Sequence, residues 1–296
     1  MAKDIAASVH QRLLNKARAQ DQPFNELLQY FVIERFLYRL SKSPHADQFV
    51  LKGALLFRVW MAQDTRATRD IDFLAFGDNT VESLVHLVTD VVSRDATDGL
   101  VFDTASIEGQ TIKEDANYEG VRILCDAFLG KANSRLQLDI AFGDTVYPEP
   151  NKERYPTLLD HPAPVLRLYP PETVFAEKLE AMIQLGVLNS RMKDFYDIWR
   201  LMQRNFNGRT LYRAVSQTII NRDTEVISFS ELERELIESG DKQLQWSAFL
   251  QKSRVRAPES FAVLLREISI MASPVLEAVI EGSELDMTWE AGGRWK

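Results

Sequence analysis

A single cysteine, Cys125, leaves nothing for it to pair with in an internal disulfide, which suits a reducing compartment. Histidine is almost as scarce. His10, His45, His86 and His161 are scattered, so no histidine-rich zinc or iron site is signalled. No apolar run approaches the length of a membrane span, and the first twenty residues carry charges throughout instead of the apolar block of a secretory signal. The expectation is a cytoplasmic protein with no membrane association. Positive charge is not in excess either, with 35 lysines and arginines against 43 aspartates and glutamates and a net charge of −8. Broad DNA coating needs phosphate neutralisation and is disfavoured, while an enzyme acting on RNA through a local groove stays open. Without histidine or thiolate clusters, any metal is expected to be hard and oxygen-bound, magnesium or manganese.

What the chain does have is the make-up of an ordinary globular protein: 45% hydrophobic and 26% charged over 296 residues, enough for one large core or two modest ones. Residues 3–20 and 23–42 read as two helices. "QFVL" reads as a strand leading into "KGALLFRVWMAQ", a turn and a helix beginning near Gly53. "DIDFLAF" reads as a strand and "TVESLVHLVTDVVS" as a helix capped by Asn79 or Thr80. Residues 99–142 carry β-branched and aromatic residues between turn signals and read as strands of a mixed sheet. Five of the eleven prolines fall between 148 and 164, which reads as a linker or irregular crossing. From Pro171 onward helices are expected over 171–185, 192–204, 209–222, 229–239, 243–253 and 258–281. The tail "DMTWEAGGRWK" has no periodicity and is expected to be loose. The expected class is α/β (α+β), divided into an N-terminal helical pair (1–44), an α/β domain with a mixed sheet (45–160), a helical C-terminal domain (161–285) and a tail (286–296).

The acidic pair in "TRATRDIDFLAF" raises the first chemical question. Asp70 and Asp72 project from one face of a strand. Carboxylates so close repel by roughly 4 kcal/mol at about 4 Å and an effective dielectric near 20. A metal ion, a neighbouring arginine or exposure to water could compensate. In "RLQLDIAF", Leu136, Leu138 and Ile140 alternate with Gln137, Asp139 and Ala141, so Asp139 lies on the face away from the apolar side. If its strand lies beside that of Asp70, three carboxylates converge, as metal-assisted phosphoryl or nucleotidyl transfer requires. Lys52, Gly53 and Ala54 stand at a strand-to-helix turn whose backbone N–H groups suit a triphosphate, although an ordinary tight turn reads the same way. Arg66 and Arg69 are either phosphate contacts or neutralisers of the aspartates, and a plain surface charge cluster is equally consistent.

Helical projection marks two further residues. On "FAEKLEAMIQLG", Phe175, Leu179, Met182 and Ile183 form the apolar face. Glu177, Glu180 and Gln184 fall opposite, and Lys178 falls inside the apolar arc. On "RMKDFYDIWRLM", Phe195, Ile198, Trp199, Leu201 and Met202 define the buried face. Asp194 lies within it, Asp197 borders it, and Lys193, Tyr196 and Arg200 face outward. A lysine and an aspartate so placed either pair structurally, with helix capping as a further role for Asp194, or line a functional cleft.

The segments "FVLKGALLFRVW…TRATRDIDFLAF", "RLQLDIAFGD", "ETVFAEKLEAMI" and "RMKDFYDIWRL", in that order over about residues 48–202, resemble the AbiEii/AbiGii toxin family of nucleotidyltransferases, which includes the MenT toxins. The resemblance implies a polymerase-β-like nucleotidyltransferase fold and magnesium- or manganese-dependent transfer of NMP from an NTP. It also implies a tRNA 3′ end as acceptor, a role in toxin–antitoxin or abortive-infection phage defence, and a cognate winged-helix antitoxin of the AbiEi kind as partner. Carried onto this chain, Gly53 matches the first-motif glycine, Asp70 and Asp72 the metal-binding pair, and Asp139 the third acidic position, expected as a further metal carboxylate. Lys178 matches the third-motif lysine and Asp194 the fourth-motif aspartate. Where the wider superfamily has Gly-Ser or Gly-Gly, this chain has Gly53-Ala54 and so no serine hydroxyl. A non-catalytic nucleotide- or antitoxin-binding module and a metal-dependent phosphodiesterase or nuclease remain the alternatives.

Overall fold

The computed structural model describes residues 2–61, 66–115 and 118–296. Of these, residues within 2–61, 68–143 and 151–168 form one compact unit, and those within 66–67, 144–150 and 169–296 form another.

The first unit is α/β. Its elements in chain order are α1 (Ala2–Gln20), α2 (Phe24–Ser41), β1 (Phe49–Lys52), α3 (Leu56–Trp60), β2 (Asp70–Ala75), α4 (Val81–Val92), β3 (Leu100–Asp115), β4 (Tyr118–Leu129), β5 (Ala132–Ala141), β6 (Asn151–Arg154) and β7 (Val165–Leu168). The seven strands make one mixed sheet in the order β3-β4-β5-β2-β1-β7-β6. Strands β2 and β5 are parallel neighbours, as are β1 and β7, and the remaining pairs are antiparallel.

Alternation decides the two faces of this sheet. Ile71, Phe73, Ile123, Leu136, Leu138 and Ile140 are buried, and register sets Ile71 beside Leu138, and Phe73 beside Ile140. Helix α4 covers that apolar side. A Cβ on Gly109 of β3 would lie 2.6 Å from Val81 and 3.0 Å from Ile123, so α4 and the β4 side chain close over the same glycine. Helix α4 starts where Thr80 accepts a hydrogen bond from the Ser83 N–H, a capping contact that satisfies one otherwise orphaned donor. Helix α2 is buried nearly throughout, and Gln29 on it donates to the carbonyls of Arg69 and Arg135, tying the entries to β2 and β5 together. The opposite face of the sheet is the polar one.

The second unit is mainly helical. It holds α5 (Pro171–Leu185), α6 (Met192–Leu201), β8 (Phe206–Asn207), α7 (Gly208–Arg222), α8 (Phe229–Glu238), α9 (Lys242–Ser253), α10 (Phe261–Glu281), β9 (Thr288–Glu290) and β10 (Arg294–Trp295). All six expected helices are present.

Three expectations are corrected. The proline-rich stretch contains β6, which pairs with β7 in the main sheet. The tail is ordered: β9 pairs with β8 and β10, and Trp289 is fully buried with its indole N–H donating to the Met202 carbonyl at 2.9 Å. Short strands paired across some eighty residues leave no periodic trace to read. The helix expected over "KGALLFRVWMAQ" is also shorter. A 3-10 turn at Gly53–Leu55 precedes the five residues of α3, and Ala62 and Gln63 lie outside the described residues.

Candidate functional site

The polar face of the first unit's sheet carries a row of four charged residues in one register. Lys52 on β1 stands across from Asp72 on β2, Asp72 across from Asp139 on β5, and Asp139 across from Arg122 on β4. Neighbouring strands are roughly 4.8 Å apart, so Asp72 and Asp139 are adjacent like charges. Asp70 shares their face one row away, beside Gln137. The three carboxylates expected from the alternation of β2 and β5 are thus brought to one patch.

Arg122, which no sequence motif marks, answers much of the electrostatic question. Its Nε donates to Asp139 Oδ1 at 2.7 Å and its Nη2 to Oδ2 at 2.8 Å, a bidentate fork. Gln137 Nε2 adds contacts to the same two oxygens at 3.3 and 3.1 Å. The hydrogen bond to Asp139, with the further attraction of Asp70 and Asp72, raises the Arg122 pKa against the opposing effect of burial. An arginine at a polar position of β4 looks ordinary in isolation. Only the β4–β5 register shows what it faces.

Gly53 has a defined reason to be glycine. Its φ is +76°, and a Cβ there would fall 1.9 Å from Asp72 Oδ2. The residue lets the backbone approach that carboxylate. Since α3 spans only five residues, its macrodipole is small, and close approach is the stronger account of the turn. Ala54 is buried beside it and Lys52 is also buried. Arg69 is exposed, and its backbone carbonyl is the group held by Gln29.

The second unit brings the two misplaced helix charges together. Lys178 Nζ on α5 donates to Asp194 Oδ1 at 2.7 Å and lies 2.9 Å from Asp197 Oδ2, both aspartates being on α6. Asp194 does not cap α6; Arg191 occupies that position, with its Nε 2.9 Å from Asp194 Oδ2. Arg66 forms a second fork, donating to Asp197 Oδ1 at 2.9 Å and Oδ2 at 2.8 Å. Three cations therefore surround two buried carboxylates. Burial alone would push the Asp194 and Asp197 carboxyls up. Lys178, with Arg191 for the first and Arg66 for the second, outweighs it, lowering Asp194 and taking Asp197 down to about 2. Burial likewise disfavours the Lys178 ammonium, but the two aspartates raise its pKa, so it is held charged.

Projection sets Asp197 only at the border of the apolar arc, yet its depth of burial makes it as much a partner of Lys178 as Asp194 is. Two residues placed outward by projection are also buried. Glu180 accepts from Arg222 at 2.7 Å and from Thr224 at 2.6 Å, and Tyr196 is 1% exposed. Helices packed on more than one side defeat a two-faced projection.

Carboxylate oxygen is the donor chemistry of magnesium or manganese, and Asp70 and Asp72 supply it from one strand face. Among the described residues, no group of three or more His, Cys, Asp and Glu side chains is placed to hold a metal ion by itself. Both Asp139 oxygens receive the Arg122 guanidinium. Magnesium in phosphate chemistry commonly uses one or two carboxylates with waters and substrate phosphates completing its shell, and the Asp70–Asp72 pair fits that pattern.

A family model described as the nucleotidyl transferase AbiEii toxin of type IV toxin–antitoxin systems matches residues 35–267. No curated protein sequence matches the chain. Two solved structures from Helicobacter pylori are similar in fold: JHP933, at 12% identity and TM-score 0.46 over 87% of this chain and 94% of that one, and a protein assigned as a nucleotidyltransferase, at 14% identity and TM-score 0.45 over 88% and 98%. No helix among the described residues is long and apolar enough to cross a membrane. The family match spans β2, β5, α5 and α6 and so contains every carboxylate and lysine described above. The chain belongs to the AbiEii family of toxin nucleotidyltransferases of type IV toxin–antitoxin systems.

Proposed function

We propose that this nucleotidyltransferase transfers NMP from an NTP to the 3′ end of a tRNA in a magnesium- or manganese-dependent reaction. The observation that carries the reading is the in-register placement of Asp72 beside Asp139, with Asp70 on the same face and Gly53 cut back to admit Asp72. Asp70 and Asp72 would hold the divalent ion, which when bound neutralises charge on the triphosphate and polarises the reacting phosphoryl group. The acceptor hydroxyl oxygen forms a bond to the α-phosphorus as the bond to the bridging oxygen breaks and pyrophosphate leaves. Asp139 orients that hydroxyl and receives its proton. A carboxylate offers about four acceptor positions; the Arg122 fork takes two, and the incoming hydroxyl would displace a longer Gln137 contact. Within the second unit, Lys178, held charged by Asp194 and Asp197, is the cation that the family resemblance assigns to stabilising phosphate charge. Lys52, Gly53, Ala54, Arg66 and Arg69 are proposed to add phosphate or RNA contacts. The acceptor class and the winged-helix nature of the cognate antitoxin rest on the family resemblance.

The test is incubation of the full chain with each α-labelled NTP, magnesium and total tRNA, resolved at single-nucleotide length. Labelled, lengthened tRNA is expected, together with growth arrest in cells. Asp70→Ala and Lys178→Ala are each expected to abolish both. Shortened RNA would point instead to a phosphodiesterase, and full toxicity in both variants would sink the reading.

A further inference from the structure

We propose that Arg122 is a resident counter-ion that occupies Asp139 in place of a second metal ion, so that the polar face of the sheet takes one divalent cation, through Asp70 and Asp72. This rests on the proposed function and deepens it. The row from Lys52 to Arg122 places each of its two carboxylates between a cation and its like-charged neighbour. Both oxygens of Asp139 are taken by the Arg122 fork, whereas Asp70 and Asp72 share the strand face on which a divalent ion would sit.

Geometry makes the substitution specific. The guanidinium meets both Asp139 oxygens in the plane of the fork, and Gln137 reaches the same oxygens from its own strand. The Asp139 side chain is only 12% exposed, whereas that of Arg122 is 33% exposed. The carboxylate is thus largely withdrawn from water, and its charge partner approaches from the more open side. Removing the guanidinium would leave a poorly solvated carboxylate beside Asp72, and such a pair recruits a cation. Arg122 is therefore a positioning residue. It fixes the Asp139 carboxylate for an incoming hydroxyl and denies it to metal.

The test counts ions and needs no turnover: Mn2+ is titrated into the full chain without nucleotide, and free ion is followed by electron paramagnetic resonance. The wild type is expected to bind one ion that the D70N/D72N double variant loses. D139N is expected to bind that ion more weakly, because it frees the Arg122 guanidinium beside Asp70 and Asp72. R122Q is expected to bind a second ion, or the first roughly tenfold more tightly, a change of the size seen when groups around a metal site are altered. R122Q/D139N is expected to return to wild-type behaviour, and R122K, which keeps the charge, to stay at one ion. An R122Q/D139N variant that binds roughly tenfold more weakly than wild type, or an R122Q variant indistinguishable from wild type, overturns the inference while leaving the Asp70–Asp72 ion and the proposed function standing. Ion binding unaffected by D70N/D72N removes both. Should R122Q fail to fold, R122Q/D139N and R122K decide the matter.

Discussion

A methyl group on Gly53 would have to share space with the Asp72 carboxylate, 1.9 Å from Oδ2, on a backbone at φ +76°. Gly77 offers an internal comparison, since its φ is +114° but a methyl group on its Cα would meet nothing within 4 Å. Gly53→Ala is therefore expected to lose about 1–3 kcal/mol of stability and also to displace Asp72. Transfer activity and Mn2+ affinity should fall by more than tenfold, because displacement of a reacting group by about 1 Å can cost on the order of a hundredfold. Gly77→Ala should lose stability and keep its Mn2+ affinity. Denaturant titration and the Mn2+ titration separate the two, and equal metal binding by Gly53→Ala and wild type would contradict the packing. At this scale much of the site is legible in the sequence. Spacing along "DIDF" and "RLQLDIAF" puts Asp70, Asp72 and Asp139 on polar positions, and projection picks out Lys178 and Asp194 as charges in apolar arcs. Arg122 and the full weight of Asp197 are not legible, because each matters only through a partner on another element.

Elements with a long period are readable and those without one are not. Six helices of the second unit, each of ten residues or more, repeat their apolar residues with a helical period, and each is present close to its expected bounds. Strands β6, β8, β9 and β10 span two to four residues, too short for a periodic signal, and β8 and β9 pair across some eighty residues. The last eleven residues, expected to be loose, contribute the fully buried Trp289, whose ring lies 5.5 Å from that of Trp295. Backbone fit is close here as well: a Cβ on Gly208 would meet the Met287 carbonyl oxygen at 2.5 Å and that of Leu285 at 2.6 Å. Trp289→Ala leaves a cavity and an unpaired Met202 carbonyl, so it is expected to cost about 3–5 kcal/mol, the range for large buried aromatics. A chain ending at residue 285 should be at least as unstable. Thermal unfolding of both measures this, and a Trp289→Ala variant that melts with wild type would return the segment to the status of a loose tail.

Across the whole molecule, the two units carry buried carboxylates whose pKa values are displaced in opposite directions. In the first unit, burial of Glu34 on α2 raises its pKa from 4.5 to about 7, against the opposing influence of Arg35 and of the hydrogen bond donated by the Leu158 N–H. The folded state therefore holds this proton more tightly than the unfolded chain. The contribution is fully present below about pH 4.5 and is lost as pH rises through about 7, amounting to about 3 kcal/mol. In the second unit, burial works against the Asp197 charge but Lys178 and Arg66 prevail, lowering its pKa from 3.8 to about 2. Here the unfolded chain binds the proton more tightly. Stability from this group is present above about pH 4 and is lost as pH falls through about 2, amounting to about 2 kcal/mol. Denaturant unfolding from pH 2 to 8 should thus show a first unit weakening on the alkaline side and a second weakening on the acid side. Glu34→Gln keeps an acceptor for Leu158 and should flatten the loss between pH 4.5 and 7 without changing the acid limb. Asp197→Asn should lower stability at neutral pH, by leaving Lys178 and Arg66 undercompensated, and should flatten the acid limb alone. An alkaline limb that survives Glu34→Gln, or an acid limb that survives Asp197→Asn, would assign the titration to other groups.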